Sequence, residues 1–155
     1  MYSVLVLALL CWSASLLCYI DRTTISVAIL PMAAEFRWAG HVQGYVLSAF
    51  FVGYLSTQVL GGVLAQRVGG ARVLGAAVAL WSGFTLATPR AAGCGPLWVL
   101  LAARVGMGMG EGLAMPAILN IASVWFPSGQ RSALLSFVLS GFPCGMVCVC
   151  LTRRA

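Results

Sequence analysis

An all-α protein that crosses a bilayer about five times is the fold class this sequence predicts, and three observations carry that prediction. Of its 155 residues 61% are hydrophobic and 8% charged, whereas soluble domains carry about 25% charged residues. Apolar stretches recur along the chain, each close to the roughly 20 residues a helix needs to cross the hydrocarbon core. The net charge of +6 comes from arginines set mostly at the ends of those stretches, a pattern of membrane topology rather than the basic stripe that grips nucleic acid. The lipid bilayer is the expected partner and nucleic acid is not. Mean hydropathy, +1.00, agrees.

The first predicted span covers residues 2–30. Its opening, MYSVLVLALLCWSASLLCYI, lacks the basic start of a signal peptide and outlasts an ordinary signal core, so it reads as a membrane helix. Asp21 and Arg22 interrupt it. Either the helix stops at Ile20 and the pair marks an interface, or it runs on through TTISVAIL with the pair inside the membrane; periodicity leaves both open. Pro31 is expected to end the segment. The connection that follows, with Glu35, Arg37, Trp38 and His41, has an interfacial composition, and His41 reads as a solvated residue rather than a proton relay or a ligand.

The second span, 42–65, carries Ser48, Tyr54, Ser56, Thr57 and Gln58. Tyr54 can line a cavity and bind an anion through its hydroxyl, or bond to a neighbouring helix. Between this span and the third, 73–92, the run GGVLAQRVGGARVLG pairs glycines with Arg67 and Arg72 and reads as a short hairpin loop. Pro89 and the breaker-rich PRAAGCGP are expected to end the third span.

The fourth span, 97–120, holds Arg104 and Glu111. A charge near the bilayer centre costs about 2.5–3.5 kcal/mol on insertion scales, so this pair should face a polar cavity or another helix. Seven residues at about 100° each return them to within about 20° of one another, some 10 Å apart along the axis. They share a face and need a third group, or a substrate, between them. Glycines at 106, 108, 110 and 112 resemble a nucleotide loop only superficially, because no strand precedes them. Ala102, Gly106, Gly110 and Ala114 instead form a four-residue ribbon for close helix packing, with Arg104, Gly108, Glu111 and Met115 expected on the opposite, polar face. VWFPSGQRS is an aromatic boundary, and the fifth span is expected at 133–151, before a basic tail at 152–155. The arginines of the connections do not fix orientation.

No metal site or disulfide framework is expected, because the six cysteines lie mostly in apolar segments without paired CxxC spacing. No catalytic constellation is expected either: the one histidine lies in a connection, away from any evident nucleophile.

The run at 61–75 is similar to the loop signature of the major facilitator superfamily, at Gly62, Gln66, Arg67, Gly69 and Arg72. DRTTISVAILPMAAEFRW, FFVGYLSTQVLGG, RVGMGMGEGLAMPA and WFPSGQRS resemble its anion:cation symporter branch, which contains sodium/phosphate cotransporters, sialin, vesicular glutamate transporters and plant plastid anion transporters. AILPMAAEF and GGARVLG look most like the plastid type. The likeness extends to about residue 147.

The resemblance implies a fold of about twelve helices in two halves that alternate access around a central site, of which this chain would hold part of the N-terminal half. It also implies a first helix that continues through Arg22. By resemblance Arg22, Tyr54 and Arg104 would meet a small anionic substrate, organic or inorganic, and Glu111 would couple Na+ or H+ to movement; no cofactor is implied. The location would be a plastid envelope, a vesicle or the plasma membrane. Two positions depart from the pattern: Gln66 stands where the signature has an acid, and Leu47, seven residues before Tyr54, stands where vesicular members have histidine. The expected function is secondary active anion transport, present as an N-terminal fragment. The alternative is a truncated, non-transporting chain that associates with a full-length relative through the ribbon of the fourth span.

Overall fold

Helix α4, Leu97–Trp125, is the element against which two other spans pack. The computed structural model describes residues 2–94 and 96–152, and among them every regular element is α-helical. In chain order these are α1 (Tyr2–Glu35), α2 (Gly40–Val68), α3 (Gly70–Cys94), α4, α5 (Arg131–Leu139) and α6 (Gly141–Thr152). Five stretches are long and apolar enough to cross a membrane: α1 to α4, and α5 with α6 taken together. Large apolar side chains such as Val59 and Leu86 stay exposed, as lipid-facing positions do. The chain is a multi-pass integral membrane protein.

The helices overrun the expected boundaries, and the reasons are physical. Pro31 and Pro89 do not end their segments; they lie inside α1 and α3, which continue to Glu35 and Cys94. In a bilayer any non-helical backbone must still find hydrogen-bond partners, which makes it cheaper for a helix to carry a proline than to stop at one. The expected hairpin loop at 61–75 is likewise almost all helix. Only Gly69 separates α2 from α3, at φ 98°, ψ 135°, a left-handed value that a side chain would oppose. Gly62, Gln66 and Arg67 therefore sit on α2 and Arg72 on α3, the last three exposed.

The fifth span, expected to be one helix, breaks between α5 and α6 at Ser140. Pro143 has no N–H for the carbonyl of Leu139, four residues earlier, and the helix is interrupted there. The hydroxyl of Ser140 accepts from Trp12 Nε1 at 3.2 Å and donates to Phe137 O at 2.6 Å, so the interruption is tied to α1. Arg153 and Arg154 of the basic tail lie outside the described residues.

Glycines set the packing. α4 presses against α2 and α3, while α1 pairs with α5 and α6 and touches α2 and α4 at few points. Gly106 and Gly110 of α4 face α3: a β-carbon at 110 would lie 2.9 Å from Trp81 N, and one at 106 would collide with the Phe84 ring. Gly108 and Gly112 face α2, where a β-carbon at 112 would lie 2.5 Å from Tyr54 O and one at 108 would strike Phe50 O. The division of α4 into a packing face and a polar face is thus corrected. Both glycine series pack, one against α3 and the other against α2. Gly106, Gly110 and Ala114 are buried within this chain, the two glycines against α3, so only the Ala102 end of the ribbon expected to offer a docking face is exposed. In the same way Gly141 and Gly145 seat α6 on α1, with would-be β-carbons 2.7 Å from Trp12 O and Leu16 O.

Candidate functional site

The charged residues meet where α1 crosses α4 between the two packed groups. Arg22 reaches from α1 to Glu111 of α4, Nη2 to Oε2 at 3.3 Å, the one ion pair among the described residues. The Glu111 side chain is 0% exposed and that of Arg22 32%. α2 closes the site from the side: the Arg22 guanidinium lies 4.9 Å from the centroid of Phe50 and 4.8 Å from that of Tyr54, with the two rings stacked on one another. A cation held against aromatic faces is attracted by their quadrupoles and shielded from lipid.

Arg104, on the same face of α4 as Glu111, does not reach it. Its Nη1 donates to the sulfur of Met107 at 3.5 Å, a weak acceptor for a buried guanidinium. Three buried polar atoms here have no hydrogen-bond partner: Nε of Arg22, Nε of Arg104 and Oε1 of Glu111. Buried polar groups are ordinarily satisfied, so these spare donors and acceptor stand out within the bundle.

Three cavities open onto these groups. A small one of about 50 Å³ is lined by both Arg22 and Arg104, together with Phe50, Phe51 and Met107. A second, about 340 Å³, is lined by Arg22, Tyr54, Glu111, Cys18 and Phe142. The third, about 420 Å³, lies on the α3 side and takes in Asp21, Thr24, Thr85, Thr88 and Arg104. Adjacent residues on α1 thus point to different cavities, Asp21 toward Arg104 and Arg22 toward Glu111.

The expected site residues Arg22, Tyr54, Arg104 and Glu111 are therefore brought near one another; Arg22 pairs with Glu111, and Arg104 is left on the Met107 sulfur. The loop signature is remote from them; its tie to α4 is Gly70 N–H, which donates to Asn120 Oδ1 at 3.0 Å. Sequence reasoning did not single out Asp21 as a site residue, nor Phe50 and Phe51. FFVGY offered a signal for the two phenylalanines: aromatic residues placed one turn before a site tyrosine share its face. Thr57, buried one turn beyond Tyr54, donates to Gly53 O and Met109 O at 3.1 and 2.9 Å and serves the α2–α4 contact.

Comparison with known proteins adds the family. The profile of the Major Facilitator Superfamily matches residues 11–151, nearly the whole chain. The chain belongs to the major facilitator superfamily. Among its relatives in that superfamily, Sodium-dependent phosphate transport protein 1, chloroplastic, of Arabidopsis thaliana is 52% identical over 142 residues, 92% of this chain and 28% of the relative. Ascorbate transporter, chloroplastic, of the same plant is 49% identical over 142 residues, 92% of this chain and 26% of the relative. Probable anion transporter 1, chloroplastic, of Oryza sativa subsp. japonica is 52% identical over 138 residues, 89% and 26% of the two chains. This major facilitator chain spans about a quarter of the length of the curated relatives it matches.

Proposed function

We propose that these five spans form the N-terminal part of a secondary active transporter for a small organic or inorganic anion. The observation that carries the proposal is the cavity shared by Arg22 and Arg104, two guanidiniums from different helices with buried Nε donors left over. An oxyanion between them would satisfy those donors, since guanidinium forks match planar and tetrahedral oxyanions. Tyr54 and Phe50 hold Arg22 from behind, and Tyr54 also lines the wider cavity through which the anion would approach.

Charge balance supports coupling to a cation. Asp21, Arg22, Arg104 and Glu111 sum to zero, so an anion entering alone would leave net negative charge in a low-dielectric site. Glu111 competes with the anion for Arg22, and a proton or Na+ taken up by Glu111 as the anion arrives restores neutrality. That makes the transport a symport. A site shared between two halves is completed by elements beyond these five spans. The relatives are named as transporters and as chloroplastic, and a plastid membrane is the proposed location.

The test uses a chimera in which residues 11–151 replace the matching stretch of the 52%-identical Arabidopsis relative, reconstituted in liposomes and assayed with phosphate and with ascorbate. Uptake of one of them is expected, with Arg22→Gln and Arg104→Gln each lowering the initial rate at least about tenfold, the equivalent of one lost charge-assisted contact. Flux that Arg104→Gln leaves unchanged would overturn the assignment.

A further inference from the structure

On the side of α4 away from the charged site, α3 and α4 diverge to leave an open groove of about 830 Å³. Its walls are apolar, among them Phe84 and Ala87 of α3 and Ala102, Val105 and Met109 of α4, and the sole charged side chain in its lining is Arg90. Ala87 and Ala102 are exposed, and their small side chains leave the groove open. Arg90 is exposed and, among the described residues, has neither an ion pair nor a hydrogen bond.

Position along the helices defines what fits. Arg90 lies in the last turns of α3, and α4 begins at Leu97 with exposed Trp98 at the same end, the level at which aromatic and basic side chains meet lipid headgroups. From Val99 to Met109 the groove follows α4 for ten residues, about 15 Å, which is one leaflet of the roughly 30 Å hydrocarbon core. A cation at headgroup depth above an apolar channel one leaflet long is the complement of a lipid with a negative headgroup and an acyl chain. A transmembrane helix packed in the same place would have to supply an acid to Arg90 or leave it unpaired against lipid.

We propose that the α3–α4 groove binds an anionic phospholipid, its phosphate on the Arg90 guanidinium and one acyl chain laid against Ala87, Ala102, Val105 and Met109. The site is separate from the Arg22–Glu111 region and does not depend on what that region transports. Basic pockets between membrane helices are a known kind of lipid site, here with the channel for the chain attached.

The experiment is native mass spectrometry of the chain released from detergent containing phosphatidylglycerol or phosphatidylcholine. One retained phosphatidylglycerol is expected, held about tenfold more tightly than phosphatidylcholine, a factor appropriate to one interfacial charge contact. Arg90→Gln should abolish the headgroup preference but keep lipid bound, and Ala102→Phe, at an exposed position, should fill the groove and abolish retention. Should either variant fail to fold, phosphatidylglycerol with a photoreactive group at the end of its acyl chain decides the matter on the unaltered chain: labelling within 99–109 supports the site. Equal retention of the two lipids, adducts indifferent to both substitutions, or labelling elsewhere overturns it, as does absence of labelling in the chimera, where a further helix would then occupy the groove.

Discussion

Replacing Arg22 with glutamine leaves the Glu111 carboxylate sealed inside the bundle without its ion-pair partner. Glu111 is fully buried, its Oε2 has Arg22 at 3.3 Å, and its Oε1 has no partner. Removing one member of a buried pair ordinarily costs about 3–5 kcal/mol, because the remaining charge keeps its desolvation penalty without its Coulombic gain. The reverse substitution, Glu111→Gln, is milder. Arg22 keeps a third of its side chain exposed and remains against the faces of Phe50 and Tyr54, contacts worth about 0.5–2 kcal/mol in themselves, so the expected loss is about 1–2 kcal/mol. The double variant, with neither charge, should be more stable than Arg22→Gln alone, giving a coupling energy of about 2 kcal/mol. Unfolding of the three variants in mixed micelles, titrated with a denaturing detergent, measures all of this. Equal costs for the two single variants, or a double variant whose cost is their sum, would refute the claim that Glu111 depends on Arg22 more than Arg22 on Glu111.

Four further outcomes follow from the packing. Gly112→Ala places a β-carbon 2.5 Å from Tyr54 O, so α2 must shift; the overpacking cost of about 1–3 kcal/mol exceeds the gain of about 1 kcal/mol in helix propensity, and the midpoint of unfolding should fall. Gly83→Ala, where a β-carbon meets nothing within 4 Å, isolates that gain, and its midpoint should be unchanged or higher. Gly69→Ala forces an alanine to φ near 98° and should cost about 1–3 kcal/mol, read by the same titration. Asn120→Ala removes the acceptor of Gly70 N–H and should lower stability by about 1 kcal/mol, with faster amide exchange at the start of α3.

Length and hydropathy were enough to find the five spans, because the bilayer forces backbone groups into helices wherever about 20 apolar residues run together. The ends were less legible for the same reason: Pro31 and Pro89 carry a strong stop signal in water and a weak one in lipid. Pro143 held the signal for the break in the fifth span, yet it acts four residues back, at Leu139, where nothing in the local composition marks it. On α4 the seven-residue spacing brought Arg104 and Glu111 to one face, but one helix cannot tell which neighbour fills that face. The partner, Arg22, lies 89 residues away in sequence. The two glycine series show the same limit, since spacing identified a ribbon at 106 and 110 while only the placement of α2 reveals that 108 and 112 form another.

The separation of α1 from its partners has a bearing on how the protein is made. α2, α3 and α4 follow one another and interlock, so they can assemble as they leave the ribosome. α1 is synthesised first and its close packing comes last: Trp12 meets Ser140 across 128 residues, and Arg22 waits for Glu111. Until α2 is made, Arg22 lacks the Phe50 and Tyr54 rings, and until α4 is made it lacks Glu111. Asp21, immediately beside Arg22, is the nearer of the two carboxylates of α1, and the sequence Asp-Arg keeps that stretch of the nascent helix neutral overall before the two side chains take their places in separate cavities. Chains in which Asp21 is replaced should therefore be lost at insertion, before any question of transport arises.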